Sequence, residues 1–560
     1  MMTIQIHQII ETPLLIVGSG IAGLSCAVEA QKQNIPHVLI SKTPLAGGAS
    51  FFPLKATLGI QVTGQSSDKV LFQQDIERVA QGMNNPKIVK AYIEESAEAV
   101  RLLNEIGFQA WQRDDNRPAC FAQYPRPIYL INNWKSAVKK AKEILNQQPQ
   151  TQYFEQATLL HIVSLHNQVQ GAVFALKHEE HCHYVFCQTP NIILATGGIA
   201  GLYQDNLYPA DIIGSTHFLA LKAGANLVNL EYIQFIPAFV APKYKVLFGE
   251  HTLKYCIDVQ DKAGNSLFPD LSAEVFSDMV KARSDYAPFS VDFDCVKFDL
   301  RIMQYLLQHP EEKGVYLRYS PMLYQDQEAF YQVYLQWLKN EVGIDLLQEK
   351  IAIAPFAHSC NGGIEIDEFA QSAVQGLFAV GEVSSCIEGA NRLGGNSVGG
   401  ALVFAKRAVQ KIAENFAKKS PHFVPLNQQA LTDYIAQWEK SLHNPTGDEN
   451  LSASQVLHHL RKLMTKFANV YRTDQQLQQL LTELNGLEKQ FCPLHYQAFQ
   501  GIEIYAALKT AQLVVQSMIA RTESRGAHYR ADYPQRDKNA YLLQVSQIGI
   551  RKIISDYKSQ

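Results

Sequence analysis

The spacing of apolar positions changes along the chain, and the changes mark its elements. Pro13 to Val17 is a continuous apolar run, too short for a helix and suited to a buried strand. It passes through Gly18-Ser19-Gly20-Ile21-Ala22-Gly23 into helical spacing from Leu24 to Lys32. A second strand, His37 to Ser41, closes the unit. Pro86 to Ile106 is again helical. Ile162 to Cys187 alternates around Asn167-Gln168, which predicts antiparallel strands joined by a turn. Asn191 to Ala195 is a third buried strand, running into Thr196-Gly197-Gly198.

Residues 233 to 343 lose this regularity and are rich in aromatics, lysines and prolines, the pattern of a smaller lid. Another apolar strand, Gln375 to Val380, leads into Gly381-Glu382, and a helix follows from Ala401 to Phe416. After a loop at 419–425 helical periodicity dominates, with Ser454 to Phe467, Asp474 to Leu487 and Ile502 to Thr522 as the long candidates. These patterns predict an α/β fold: a discontinuous Rossmann-like domain over 1–232 and 345–418, an inserted α+β capping domain over 233–344, and a helical C-terminal domain over 426–560.

Composition narrows the classes. A chain of 560 residues, 47% hydrophobic and 18% charged, is expected to fold throughout as several domains. A formal net charge of -3 lacks the footprint of a nucleic-acid or membrane-surface binder. The N-terminus reads as no secretory signal and no run of 18 apolar residues occurs, so a cytoplasmic protein is expected. The nine cysteines are scattered and never form CxxC, which predicts reduced thiols, no intrinsic iron–sulfur cluster and no metal. Cys182 and Cys187, near His181 and His183, read as part of a surface hairpin.

The chemistry lies in the glycine-bearing turns. A turn of Gly18, Gly20 and Gly23 between strand and helix lets backbone approach a pyrophosphate, with Ile21 and Ala22 opening a helix whose N–H groups and dipole favour an anion. The second strand ends in Ser41 and Lys42, not in the acid of an NAD site, so a hydroxyl must serve the ribose. Gly47-Gly48-Ala49-Ser50 brings backbone against a flat ring. Ala195-Thr196-Gly197 is a second close approach. Gly381-Glu382 followed by the segment from Gly389 to Ser397, which includes Arg392, Asn396 and Ser397, combines a ribose acid, small residues under a flavin and an arginine facing a substrate.

These motifs, in this order, resemble the flavoprotein family of succinate dehydrogenase, fumarate reductase and L-aspartate oxidase. The resemblance extends to His358 with Gly362-Gly363-Ile364 and to the C-terminal run from Glu523 to Arg530. It implies FAD as cofactor, a substrate held between cap and flavin, and a substrate carboxylate bound by His358 and Arg392. Guanidinium holds a carboxylate bidentately and imidazole adds a charge-assisted bond. A small carboxylate substrate and an iron–sulfur or other electron-transfer partner are the implied partners.

The chain departs from that family at several positions. Ile236 stands where the dicarboxylate enzymes carry a histidine. In Gly249 to Tyr255, Glu250 is retained while Leu253 falls on the family's proton-donating arginine, leaving Lys254, His251 or Tyr255 as replacements. Ala49 stands about where succinate dehydrogenases link flavin covalently, so FAD is expected to bind without a covalent bond. Leu54-Lys55-Ala56-Thr57 replaces a polar, glycine-rich segment. His358, Arg392, Glu250 and Lys254 are the expected catalytic group. The reading is an FAD-dependent oxidoreductase with a diverged substrate; the alternatives are a flavin-binding protein without catalysis and an electron-transfer flavoprotein that works with an iron–sulfur partner.

Overall fold

The computed structural model describes residues 4–51, 57–147, 149–178, 181–385, 387–417, 425–448, 450–495 and 498–554. A parallel sheet in the order Leu377–Ala379, Ile192–Leu194, Leu14–Val17, His37–Ile40, Thr151–Phe154 organises the nucleotide domain. Its first four strands are buried at every position, which is why they read as unbroken apolar runs instead of alternating ones. One strand comes from past residue 370, so the domain is discontinuous. The register aligns Val17 with Leu194 and Leu194 with Ala379. Three turns far apart in sequence therefore leave adjacent strands at the same edge of the sheet.

Beside it lies a meander of Ala157–Leu165, Gln168–His178 and His181–Gln188, joined in parallel by Ile6–Glu11. The first hairpin turns at His166 and Asn167, both at positive φ, one residue before the turn expected at Asn167-Gln168.

The cap holds an antiparallel sheet ordered Val246–Leu247, Ile233–Ala241, Ile351–Cys360, Val315–Tyr319, Cys256–Gln260, with helices Ala273–Ser284, Lys297–Gln308 and Ala329–Trp337. It has its own apolar cluster, including Phe239, Leu253, Phe298 and Leu338. Ile351–Cys360 pairs with Ile233–Ala241 as far as Cys360, so the cap's sheet continues past the 344/345 boundary read from the sequence.

The C-terminal region contributes helices Gln428–Leu442, Ala453–Phe467, Asp474–Gln490 and Ala498–Ala520. Asn427, Ser452 and Thr473 cap the first three by accepting a backbone N–H. The region also carries a hairpin absent from the sequence reading. Tyr541–Ser546 and Gly549–Ile554 form it, and Tyr541–Ser546 pairs with Leu227–Val228 of the nucleotide domain. Its period-two signal spans only six residues, with Tyr541, Leu543 and Val545 buried. Among the described residues no helix is long and apolar enough to cross a membrane.

Candidate active site

A cavity of ≈ 500 Å³ runs from the three turns to the underside of the cap. Gly18 takes φ +110, and a Cβ there would overlap the Ala195 carbonyl oxygen of the neighbouring turn. A Cβ on Gly23 would overlap the Gly18 carbonyl oxygen, so this glycine sets how tightly the helix Ile21–Lys32 seats on its own turn. That helix has Gly20 as N-cap with no side-chain cap, and Ile21 N–H donates to Ser50 Oγ at 3.2 Å. The N-terminus thus faces the cavity with backbone donors available to an anion. At the third turn, Ser397 lines the cavity as the helix Asn396–Ala417 begins.

The polar groups around this half have defined partners. Ser41 Oγ and Ser19 Oγ are 2.7 Å apart. Lys42 Nζ donates to Glu503 Oε1 at 2.7 Å and to the Asp211 carbonyl at 3.0 Å, tying the C-terminal helix to the nucleotide site. Glu382 Oε1 accepts from Tyr208 OH, from Ser359 Oγ at 2.9 Å and from Cys360 N–H at 2.9 Å. Three donors on one oxygen hold the carboxylate still in the cavity wall. Thr196 Oγ1 is buried without a hydrogen-bond partner among the described residues, on a turn that lines the cavity. An orphaned hydroxyl and a backbone cradle that would reject a side chain both fit a flavin dinucleotide, which supplies donors, acceptors and a flat ring.

On the cap side, His358 reaches the cavity through a β-bulge. Gln234 pairs with Ser359 and Phe235 with Ala357, which leaves His358 as the extra residue. Arg392 lines the same cavity, and its guanidinium makes no ion pair or hydrogen bond among the described residues; only its backbone N–H is engaged, by Asn391 Oδ1 at 3.0 Å. Burial pushes the nearby Glu388 carboxyl up, against the pull of Arg392. The arginine is therefore the available guanidinium of this wall.

Glu250 starts the short helix Glu250–Tyr255 and also lines the cavity. Burial pushes its carboxyl up to about 8, opposed by Arg283, whose Nη2 lies 3.7 Å from Glu250 Oε1. The opposition is partial because Arg283 spends its charge on Asp299, bonded through Nε at 2.8 Å and Nη2 at 3.1 Å. The balance favours the neutral carboxyl over the carboxylate at this wall.

The remaining expected residues sit elsewhere. Lys254 points away from the cavity, with Nζ 3.6 Å from Asp326 and over the Tyr255 and Tyr331 rings, so the structure does not bring it to the substrate wall. His251 packs among Phe330, Tyr331 and Tyr334, and burial pushes its imidazole down to about 3. Tyr255 donates to Asp326. Leu253 is fully buried in the cap's apolar cluster. Asn396 stands behind the wall, accepting from Gln61 Nε2 at 3.0 Å, and Gly23 acts through packing. Gly20, Ile21, Ala22, Gly48, Ala49, Ala195, Gly197 and Gly381 all line the cavity, as does Ile236. Thr57 lines it too, whereas Leu54, Lys55 and Ala56 lie outside the described residues. In the meander, Cys187 is buried within the sheet and His183 stacks on His7.

Sequence reasoning missed several cavity residues. Lys245 donates to Asn206 Oδ1 at 3.1 Å at the cap seam, its amine pushed down by burial to about 8. Cys120, Tyr208, Asp211 and Glu503 also line the cavity, and Arg283 stands behind Glu250. None of them belongs to a local motif; only spatial adjacency marks them.

With this geometry in hand, similarity to known proteins carries weight. A family profile described as an FAD binding domain matches residues 14–398, and one described as the fumarate reductase flavoprotein C-terminus matches 457–547. The chain belongs to the flavoprotein family of fumarate reductase, succinate dehydrogenase and L-aspartate oxidase. It is an FAD-dependent oxidoreductase. Among its relatives, a component of the CoM/CoB fumarate reductase of Methanothermobacter marburgensis is 25% identical over 94% of this chain and 95% of that protein. L-aspartate oxidase of Vibrio cholerae is 25% identical over 93% of this chain and 95% of that enzyme. In fold, the chain resembles the E. coli quinol fumarate reductase, with TM-score 0.76, 23% identity and coverage of 99% of this chain and 98% of that one. It also resembles adenylylsulfate reductase of Archaeoglobus fulgidus, with TM-score 0.70, 20% identity and 99% and 96% coverage.

Proposed function

We propose that this protein transfers two electrons between FAD and a small metabolite bearing a carboxylate, with the carboxylate held by Arg392 and His358. The observation that carries the reading is the Arg392 guanidinium, which lines the cavity with no ion pair or hydrogen bond among the described residues, while a bulge turns the His358 imidazole into the same cavity. An uncompensated buried-edge cation costs stability unless a ligand pairs it, and a carboxylate does so with two parallel hydrogen bonds.

The flavin, when bound, accepts or gives the hydride. The chain's own residues hold it: the Gly18 and Gly197 turns admit the dinucleotide, the N-terminus of the helix Ile21–Lys32 faces its pyrophosphate, and Glu382 Oε2 takes a ribose hydroxyl. Ser41, Lys42 and Ser50 shape the nucleotide end, and Asn396 and Ser397 begin the helix on the ring side. Ala49 offers no nucleophile, so the flavin is held without a covalent bond. Ile236 supplies no hydrogen bond at the cap, so the substrate's second end meets apolar surface there. The electron acceptor in this reading is an iron–sulfur partner or another electron carrier, which copurification with the flavoprotein tests.

Anaerobic titration of the yellow protein with a panel of amino, hydroxy and unsaturated carboxylic acids tests the proposal. Bleaching or a spectral shift by one of them, weakened in Arg392→Gln with flavin content unchanged, is expected. A flavin that dithionite reduces readily and no carboxylate perturbs refutes it.

A further inference from the structure

The Leu253 substitution leaves open which group handles the proton that accompanies hydride transfer. The three side chains near that position, His251, Lys254 and Tyr255, all lie outside the cavity wall. Lys245 reaches the wall but its amine is bonded to Asn206, and Arg392 and His358 are assigned to the carboxylate. Two groups remain. Cys120 is enclosed by protein yet keeps free surface, because the surface it shows is cavity. Its carbonyl accepts from Gly394 N–H at 3.1 Å, and a Cβ on Gly394 would come to 3.3 Å from Cys120 Cβ, so the residue sits directly on the small-residue segment two positions beyond Arg392. Glu250, 7% exposed, lines the same cavity, and its Oε1 has no hydrogen-bond partner among the described residues.

We propose that Cys120 is the acid–base residue facing the substrate, with Glu250 on the wall of the same cavity as its proton partner. The proposal rests on the carboxylate site described above and deepens it. In the reducing direction the Cys120 S–H bond breaks, and its proton forms the new C–H bond at the carbon next to the one that takes the flavin's hydride. The bonding pair stays on sulfur as thiolate. Glu250 then gives its carboxyl proton to that thiolate and recovers one from water; oxidation runs the same steps backwards.

The order of acidities suits this relay. Burial, and then the Glu250 charge, push the Cys120 thiol above its ordinary value, while Glu250 stands at about 8, so proton return from Glu250 to the thiolate runs downhill. The charged groups facing Cys120 are Glu250, Arg117 and Arg283, and those facing Glu250 are Arg283 and Asp299. Burial favours the protonated form of both, as a reductive proton donor requires.

The test is alkylation of the holoenzyme by iodoacetamide, read peptide by peptide by mass spectrometry across pH. Three results are expected. Cys120 is alkylated in the wild type. A saturating carboxylate that perturbs the flavin spectrum slows that alkylation by about tenfold or more, since it covers the thiol. Glu250→Gln moves the pH midpoint of alkylation down, since it removes the charge that raises the thiol. In turnover, Cys120→Ala lowers kcat by about a hundredfold or more with the carboxylate's Kd within about threefold, the size of a general acid's contribution. A carboxylate that binds yet leaves Cys120 alkylation unchanged overturns the proposal while sparing the carboxylate site. So does an unshifted midpoint in Glu250→Gln. If no carboxylate perturbs the flavin, the carboxylate site itself fails and this proposal falls with it. None of the alkylation arms uses Cys120→Ala, so they stand even where that variant folds poorly.

Discussion

Replacing Glu250 by glutamine should make stability depend less steeply on pH, and the size of the change follows from the site. In the unfolded chain this carboxyl titrates at its ordinary value of 4.5; in the folded protein it titrates at about 8. A folded value raised above the unfolded one contributes stability that is fully present below 4.5 and is lost as pH rises through about 8, because over that window the unfolded chain releases the proton and the folded one keeps it. Each pH unit costs about 1.4 kcal/mol, so by pH 7 the wild type has lost roughly 3 kcal/mol that a neutral glutamine does not lose. For the 560-residue chain unfolding as one unit that corresponds to roughly 3 °C in Tm. The assay is thermal unfolding of the FAD-bound wild type and Glu250→Gln at half-unit steps from pH 5 to 8.5. The difference between their Tm values should move steadily in favour of the variant as pH rises and level off near 8. A difference that stays constant across the range means that Glu250 ionises in the folded protein as it does in water, and the assignment of a protonated acid to the cavity wall is wrong.

Three further outcomes follow from the same geometry. Gly18→Ala is expected to abolish flavin retention, because its Cβ overlaps the Ala195 carbonyl and φ +110 strains any side chain; absorbance at the flavin band after gel filtration reads this, and a fully yellow variant contradicts the cradle. Arg392→Lys keeps the charge but loses the bidentate fork, so carboxylate affinity should fall by about 1.5–3 kcal/mol, or roughly tenfold to more than a hundredfold, in a spectral titration; an unchanged Kd removes Arg392 from the binding role. Denaturation in trichloroacetic acid should release all the flavin to the supernatant, since Ala49 provides no linking atom; yellow colour left in the pellet shows a covalent bond made elsewhere.

The distribution of what was legible in the sequence is itself informative. The strand, glycine turn and helix from Leu14 to Lys32 could be read directly, because burial on both faces makes an unbroken apolar run and close backbone approach admits only glycine. The hairpin Tyr541–Ile554 could not, because six residues of alternation after four long helices give a weak periodic signal, and its partner strand lies some 300 residues earlier in the chain. His358 was legible as a candidate by resemblance, yet its orientation depends on a bulge that exists only in the pairing of two strands. Lys254 and Glu250 show the reverse: four residues apart on one short helix, they separate, one into the cavity wall and the other against Asp326.

Local chain chemistry, then, determined what each turn is able to hold: glycines that admit a dinucleotide, a helix start that favours an anion, an arginine and a histidine suited to a carboxylate. The tertiary structure decided which of these meet. Parallel pairing in register set the turns after Val17, Leu194 and Val380 side by side, and the folding of the cap chose Glu250 for the cavity while burying Leu253 and His251 away from it. Backbone preferences act over a few residues and are written in local sequence, whereas the burial that raises the Glu250 carboxyl, against an Arg283 whose charge is shared with Asp299, exists only once the chain is packed.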